Sequence, residues 1–259
     1  MFEWLWYLVI IFTLASLIPA CYSDLKTRKV PVWIWYPGVY VGIPLSIILF
    51  VIKIFSWEIP IDHVYIYVGT ALVLVIISLA AGYLNVFGGA DAIALCLVAL
   101  TAFYYSDPVN MAHPLFVFLF LKNFVICAAL IVVGVFVMNL AKNNNKYIKS
   151  PLFLFFTTMV SPKELQGKHL LVMEDVREID GNIVKRFVEP SRLTEGTDYY
   201  KSSTITKDPD RWSLYKQLDM VLVMYIVPMI IPITAAYIIT ILFGDITHPL
   251  NIALGINLT

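Results

Sequence analysis

Two aspartates stand where the surrounding sequence makes a carboxylate costly, and their setting points to acid–base chemistry. Asp91 closes the run Gly88-Gly89-Ala90-Asp91, with strongly apolar sequence on both sides, from Val64 to Phe87 and from Ala92 to Tyr105. An acid at the centre of a membrane helix costs about 2.5–3.5 kcal/mol on insertion scales, so its default reading is functional. Two glycines let the chain bend and let another backbone approach closely. If a helix starts after them, Asp91 sits near its N-terminus, where the dipole favours the ionised form. Taken alone, the stretch reads equally well as an ordinary loop with a first-turn acid. Asp24 opens Asp24-Leu25-Lys26-Thr27-Arg28-Lys29-Val30-Pro31 at the end of the first apolar run. Alone it is a juxtamembrane acid among bases. Together the two suggest a carboxylate dyad. Two acids around one water do not both ionise easily, so one keeps a proton. The ionised member takes a proton from water as it attacks a peptide carbonyl. The protonated member supports the developing oxyanion and later helps protonate the departing amine. Such chemistry needs no metal and no covalent intermediate.

The elements that must position these acids are membrane helices. The chain has 259 residues, 60% hydrophobic and 14% charged, with a mean hydropathy of +0.81. A soluble domain carries about 25% charged residues. Apolar runs are long enough to cross a bilayer, which takes ~20 residues per helix. Six spans are predicted, roughly 3–23, 32–55, 64–86, 91–106, 114–140 and 217–243. The fourth is short and either reaches past Asp107 or is partly covered by protein. Pro19, Pro228 and Pro232 are expected to kink their helices, which neighbours in a bundle tolerate. Trp4, Trp6, Trp33, Trp35, Trp57 and Trp212 lie near span ends, as an interfacial aromatic belt requires. The first segment has no basic leader and reads as a retained helix rather than a signal peptide. The fold class is thus a polytopic α-helical membrane protein. Six transmembrane helices are joined to a small, partly β cytoplasmic insertion before the last of them. The organisation is 1–140 for the first five helices and both acids, 141–216 for the insertion, and 217–259 for the sixth helix and tail.

Charge sets the orientation. Of the eighteen Lys and Arg residues, Lys26, Arg28 and Lys29 sit in the first connection and thirteen lie between Lys142 and Lys216. Only Lys53 and Lys122 fall elsewhere. Six spans starting outside put both basic segments on one side, and the positive-inside rule makes that side the cytoplasm. Asp24 and Asp91 then lie near the cytoplasmic face. In the insertion, Leu170 to Val176 and Ile183 to Val188 read as strands joined through Asp180-Gly181, and Leu152 to Phe156 reads as a core strand or a membrane-surface segment. Its thirteen basic against ten acidic residues are too mild a balance for nucleic acid. Cys21, Cys96 and Cys127 form no Cys-x-x-Cys pair and read as free thiols. His63, His113, His169 and His248 show no ligand spacing, so no metal is expected. Lys122 either snorkels, pairs with an acid on another helix or lines a wet cleft, pairing being favoured. Asp219, at the start of the predicted sixth helix, is the rival third acid.

At Asp24 and at Gly88-Gly89-Ala90-Asp91 the chain resembles the GxGD membrane aspartic proteases. More narrowly, it resembles the archaeal preflagellin and type IV prepilin peptidases. In that family the first catalytic Asp follows the first helix and precedes an Arg and an Ile/Val-Pro pair, here Asp24, Arg28 and Val30-Pro31. The second catalytic Asp closes the glycine motif, here Asp91. Ala90 stands where the pattern has its second glycine, and Val32 follows Pro31 where many relatives have Asn. The four-cysteine zinc domain common in the bacterial methylating branch is not matched. Pro232-Ile233-Thr234 does not fit the Pro-Ala-Leu motif of the presenilin-like branch. The resemblance implies an endopeptidase in the plasma membrane that removes a short basic leader from a membrane-anchored precursor, without a cofactor. Gly88, Gly89 and Ala90 would offer backbone groups to the extended peptide. A preflagellin is the favoured substrate, with the precursor of another pilin-like filament as the alternative. A proton-coupled transporter using the two acids as a relay is the rival from a different class. Transporters commonly show internal repeats and midplane sites, and this sequence shows neither.

Overall fold

In a computed structural model the chain divides into two compact units, Met1–Ala128 with Pro228–Thr259, and Ala129–Val227. The structure describes residues 3–84, 88–102, 116–148, 151–166, 170–179, 182–188, 199–225 and 228–246. In chain order the helices are α1 (Glu3–Thr27), α2 (Ile43–Phe55), α3 (Ile61–Tyr83), α4 (Gly89–Thr101), α5 (Phe116–Ala141), α6 (Ser202–Ile205), α7 (Pro209–Tyr215) and α8 (Ile230–Phe243). The strands are β1 (Thr157–Val160), β2 (Leu170–Val172), β3 (Glu174–Ile179), β4 (Asn182–Phe187) and β5 (Val221–Tyr225).

Four stretches of the chain are long and apolar enough to cross a membrane: Trp4–Thr27, Val32–Phe55, His63–Tyr83 and Phe116–Ala141. The helices α4 and α8, with 13 and 14 residues, are shorter than the ~20 a full crossing takes. Of the six expected spans, then, four have full length and two are short among the described residues. Any continuation of α4 past Asp107 lies outside those residues. Hydropathy alone finds apolar stretches and does not fix where each helix stops.

The predicted sixth span needs a larger correction. Residues 221–225 form strand β5 rather than the start of a helix, and α8 begins only at Ile230. The reason is visible in burial: Val221 and Val223 are buried while Leu222 and Met224 are half-buried, the two-residue period of a strand. A short apolar run is compatible with either element by pattern alone. Pro228 stands just ahead of α8, where its fixed φ and missing N–H do no harm.

The core of the helical unit gathers Leu17, Leu97, Phe116, Phe120, Ile233 and Tyr237 from α1, α4, α5 and α8. Glycine permits its closest approaches. A Cβ on Gly38, in the π-helical turn Pro37–Gly42, would meet Leu97 at 2.7 Å, and the Gly38 N–H donates to Ser16 Oγ at 2.9 Å. A Cβ on Gly82 of α3 would lie 2.9 Å from the Ala92 Cβ of α4. These contacts hold α4 against α1 and α3, and so set where Asp91 stands. Trp35 is buried in this core, whereas Trp4, Trp33 and Trp57 are exposed.

The second unit is built on a three-stranded antiparallel sheet of order β1-β5-β2, with β3 and β4 paired separately. In that hairpin Ile179 faces Asn182; the expected turn residues, Asp180 and Gly181, lie outside the described residues. The expected strand from Leu170 to Val176 is therefore two strands, β2 and β3. Pro151–Phe155 is a 3-10 turn, so Leu152 to Phe156 is not the core strand that was one of its two expected forms; Leu152 and Phe156 are exposed. Trp212 packs into the core with Val172, Ile205, Tyr215 and Val221 instead of marking a membrane interface. Asn139, near the end of α5, donates to the carbonyls of Leu154 and Thr157 at 2.7 and 2.5 Å, while Asn144 bridges Asn139 Oδ1 and Thr158 Oγ1. Buried amides paired in this way fix β1 to the helix end, because leaving any of them unpaired would cost about 1–3 kcal/mol.

Candidate active site

Asp24 lies in the last turn of α1, and the residues after it explain why the helix ends there. The Arg28 N–H closes the last helical bond to the Asp24 carbonyl at 3.1 Å. Arg28 itself stands at φ 56°, a left-handed conformation that costs a non-glycine residue about 1–2 kcal/mol. Two hydroxyls hold the turn: Ser23 Oγ donates to the Lys29 carbonyl at 2.8 Å, and Thr27 Oγ1 lies 2.9 Å from the same oxygen. Pro31 then prevents any return to the α1 axis. Asp24 and Arg28 are both half-buried, and Arg28 Nε is buried with no hydrogen bond among the described residues.

Asp91 is the third residue of α4, and Gly88 is its N-cap. The carboxylate turns back to accept the Gly88 N–H at 3.2 Å, as the acid of a capping box does. A Cβ on Gly88 would fall 3.0 Å from Asp91 Oδ2 and crowd the carboxylate where it stands. The backbone N–H of Ile230, the first residue of α8, acts electrostatically on Asp91 in the same sense as the Gly88 N–H. A helix N-terminus favours negative charge near it. Gly89 has nothing near the place a side chain would take, and Gly88 and Gly89 are exposed. Ala90 is half-buried against the helical core.

The two acids are far apart in sequence but within electrostatic reach of each other. Asp24 and Arg28 both act electrostatically on Asp91. Burial and the neighbouring Asp24 oppose a negative charge on Asp91, whereas the Gly88 N–H, Arg28 and the Ile230 N–H support it. Burial lowers the Arg28 pKa from its usual range, while Asp24 and Asp91 oppose that shift. A half-buried pair of carboxylates with one guanidinium beside it has the composition for general acid–base work on a water.

The other residues singled out by sequence fall elsewhere. Asp219 is exposed in a bend ahead of β5 and belongs to the second unit, so it does not open the last helix. Lys122 pairs with Asp245 at 2.7 Å. Lys53, the other isolated base, is buried and pairs with Glu58. His63 is exposed in the first turn of α3; His113, His169 and His248 lie outside the described residues. Two contributors were not identified from sequence: the position of Arg28 against both acids, and the Ile230 N–H. The four-residue spacing from Asp24 to Arg28 hinted at the first. Nothing in the sequence marked the second, because it depends on where α8 begins.

Residues 11–138 match the family model described as the type IV leader peptidase family. Residues 149–246 match the model described as the archaeal peptidase A24 C-terminus, type II. No curated protein matches the chain. Asp24 and Asp91 both fall within the first match and β5 and α8 within the second.

Proposed function

This chain belongs to the type IV leader peptidase family, and from that premise we propose that Asp24 and Asp91 are the catalytic dyad of an aspartic endopeptidase. The enzyme removes the short basic leader from preflagellin (archaellin) precursors at the cytoplasmic face of the plasma membrane. The observation that carries the reading is that Asp24, at the end of α1, acts electrostatically on Asp91, at the start of α4, both being half-buried. Bringing two carboxylates into a half-buried site costs free energy, which is most simply understood if their shared proton is used.

In the mechanism, the ionised member of the pair draws a proton from a water lying between the acids. The water oxygen attacks the scissile carbonyl, and the protonated member hydrogen-bonds the oxygen on which charge develops. That proton then passes to the departing amine as the C–N bond breaks, and the dyad is left with one proton again. Gly88, Gly89 and Ala90 line the approach with backbone groups that an extended peptide pairs with, as in strand addition. Both basic segments face the cytoplasm under the positive-inside rule. A precursor anchored in the membrane therefore offers its basic leader on the side to which the dyad opens. The 141–216 segment between the last two helices favours a preflagellin over another pilin-like precursor, by analogy.

The test is cleavage by membranes containing the full chain. A preflagellin and a type IV pilin precursor are each supplied with an intact basic leader, and the shortened product is resolved by gel and its new N-terminus by mass. Asp24→Asn and Asp91→Asn each lower the rate on the order of 10³-fold or more, with expression unchanged. Asp219→Asn retains most activity. Cleavage at the wild-type rate by either dyad variant would sink the assignment, and preference for the pilin precursor would make that class the substrate.

A further inference from the structure

Arg28 is held more elaborately than a surface arginine requires. Its backbone adopts a left-handed conformation, φ 56°, that favours glycine. The Ser23 and Thr27 hydroxyls fix that turn through the Lys29 carbonyl. Its side chain is half-buried rather than solvated, with Nε buried and unbonded among the described residues. Its backbone N–H is bonded to the Asp24 carbonyl at 3.1 Å, and the guanidinium is within electrostatic reach of both Asp24 and Asp91. A glycine would relieve the backbone, so the side chain must contribute something that offsets the strain.

The charge count says what. Two carboxylates sharing one proton carry a single negative charge, and an arginine is always protonated. With Arg28 present the singly protonated dyad, the form that catalysis uses, is the electrically neutral form of the site. Without Arg28 the neutral form holds two protons and has no base. Among the described residues, the neighbouring charges stand in for it poorly. Lys26 and Lys29 are exposed, Lys26 lying 5.8 Å over the Tyr22 ring. Cys21, one turn before Asp24 on α1, is a free thiol and brings no positive charge. Val32–Trp35 and α8 carry no charged side chain, and α4 carries none besides Asp91.

We propose that Arg28 is a positioning residue of the dyad: its guanidinium, turned back by the left-handed residue, makes the one-proton state of Asp24 and Asp91 the neutral state of a half-buried site. The role rests on the dyad reading above. A positive charge beside two carboxylates lowers the pH at which each gives up its proton. Removing it moves both limbs of the pH profile upward.

The experiment is the pH dependence of kcat/KM for cleavage of a preflagellin by the full chain in detergent micelles. Wild type is compared with Arg28→Gly, Arg28→Gln and Arg28→Lys. Gly suits the backbone and removes the charge, Gln removes the charge alone, and Lys keeps it. Arg28→Gly and Arg28→Gln shift both limbs up by about one pH unit or more, the size expected for loss of a nearby opposite charge. Arg28→Lys stays near wild type. If Arg28→Gly folds and its profile overlies that of wild type, the proposal is overturned, whatever the fate of the Gln variant. A Lys profile displaced as far as the Gln one overturns it too. Asp24→Asn and Asp91→Asn run in the same assay separate the two failures. Loss of cleavage with unmoved Arg28 profiles removes only this role, whereas persistent cleavage removes the dyad and this role together.

Discussion

The two ends of α8 face the same electrostatic problem and solve it differently. At its C-terminal end Lys122 of α5 meets Asp245 at 2.7 Å, and the Asp245 side chain is only 9% exposed. Beside them Asn123 donates to Thr240 Oγ1 and to the Gly244 carbonyl, and accepts the Ile246 N–H. Gly244 takes φ 66° to bring that carbonyl round, a conformation suited to glycine at a helix end. One base meets one acid, and the amide between them uses both its donor and its acceptor sides. At the N-terminal end, about 20 Å away by helix rise, the Ile230 N–H and Arg28 act on Asp91 together with a second acid, Asp24. Among the described residues the Arg28 Nε is buried without a hydrogen bond, and the flanking glycines are exposed. Charge that only holds a fold together is matched and closed off. Two acids brought near each other in a half-buried site, at some cost to stability, are what the proposed dyad requires.

That contrast breaks first at Asp245. Asp245→Leu leaves Lys122 facing an apolar neighbour, and losing one partner of a buried pair costs about 3–5 kcal/mol. Because the Lys122 side chain is 38% exposed, the expected loss is at the low end, about 2–3 kcal/mol. It is read as a lowered unfolding midpoint in detergent. Lys122→Met added to Asp245→Leu recovers most of the loss, since an apolar pair replaces a charged one. Cleavage per folded molecule stays within about twofold for both, by the reasoning that distant sites act independently. A large loss of activity at unchanged stability would show that this end belongs to the machinery after all.

Gly88→Ala sharpens the contrast from the other side. The added methyl reaches 3.0 Å from Asp91 Oδ2 and pushes the carboxylate off the Gly88 N–H. The backbone at Gly88, φ −63° and ψ 149°, suits alanine, so the fold has little reason to object. The expected outcome is about a tenfold fall in kcat/KM, or ~1.4 kcal/mol of transition-state stabilisation, with the unfolding midpoint nearly unchanged. At Gly89, where nothing lies near the missing side chain, alanine leaves the rate largely intact unless the substrate itself occupies that space. Kinetics of the two variants side by side decide between these.

How far the sequence carried these conclusions depends on range. An acid amid apolar sequence is legible because its cost is local, and the helical layout is legible because hydropathy is. The partner of Lys122 was expected in kind, an acid on another helix, but only the fold selects Asp245 from so far along the chain. Residues 221–225 were misread because a short apolar run fits a buried strand as well as a helix. Pairing with β1 and β2 decides the matter. Trp212 followed the same error, since its neighbour was taken for a membrane helix and is a sheet. Asp219 lost its place at a helix start when that start moved to Ile230. Arg28 illustrates the remaining limit: its number in the sequence was noticed, but its approach to Asp91 needs a left-handed turn that no periodicity announces.

The smallest effect is expected at that turn. Thr27 Oγ1 lies 2.9 Å from the carbonyls of both Ser23 and Lys29, and one hydroxyl proton serves one of them at a time. Ser23 independently donates to the Lys29 carbonyl at 2.8 Å. Thr27→Val keeps the shape and removes a single exposed donor whose acceptors have water or Ser23 in its place. A bond of that kind is worth about 0.5–1.5 kcal/mol, and exposure puts it at the lower limit. Stability therefore changes little, and cleavage falls by no more than about threefold. Adding Ser23→Ala removes the second tie to Lys29, and nothing then opposes the strain at Arg28 except the acids it faces. The double variant should lose more than the product of the two single losses, because both hydroxyls hold one carbonyl. Its pH profile should also move in the direction of Arg28→Gln as the guanidinium withdraws. Purely additive losses with an unmoved profile would mean that the carboxylates alone hold Arg28, and that the turn merely follows.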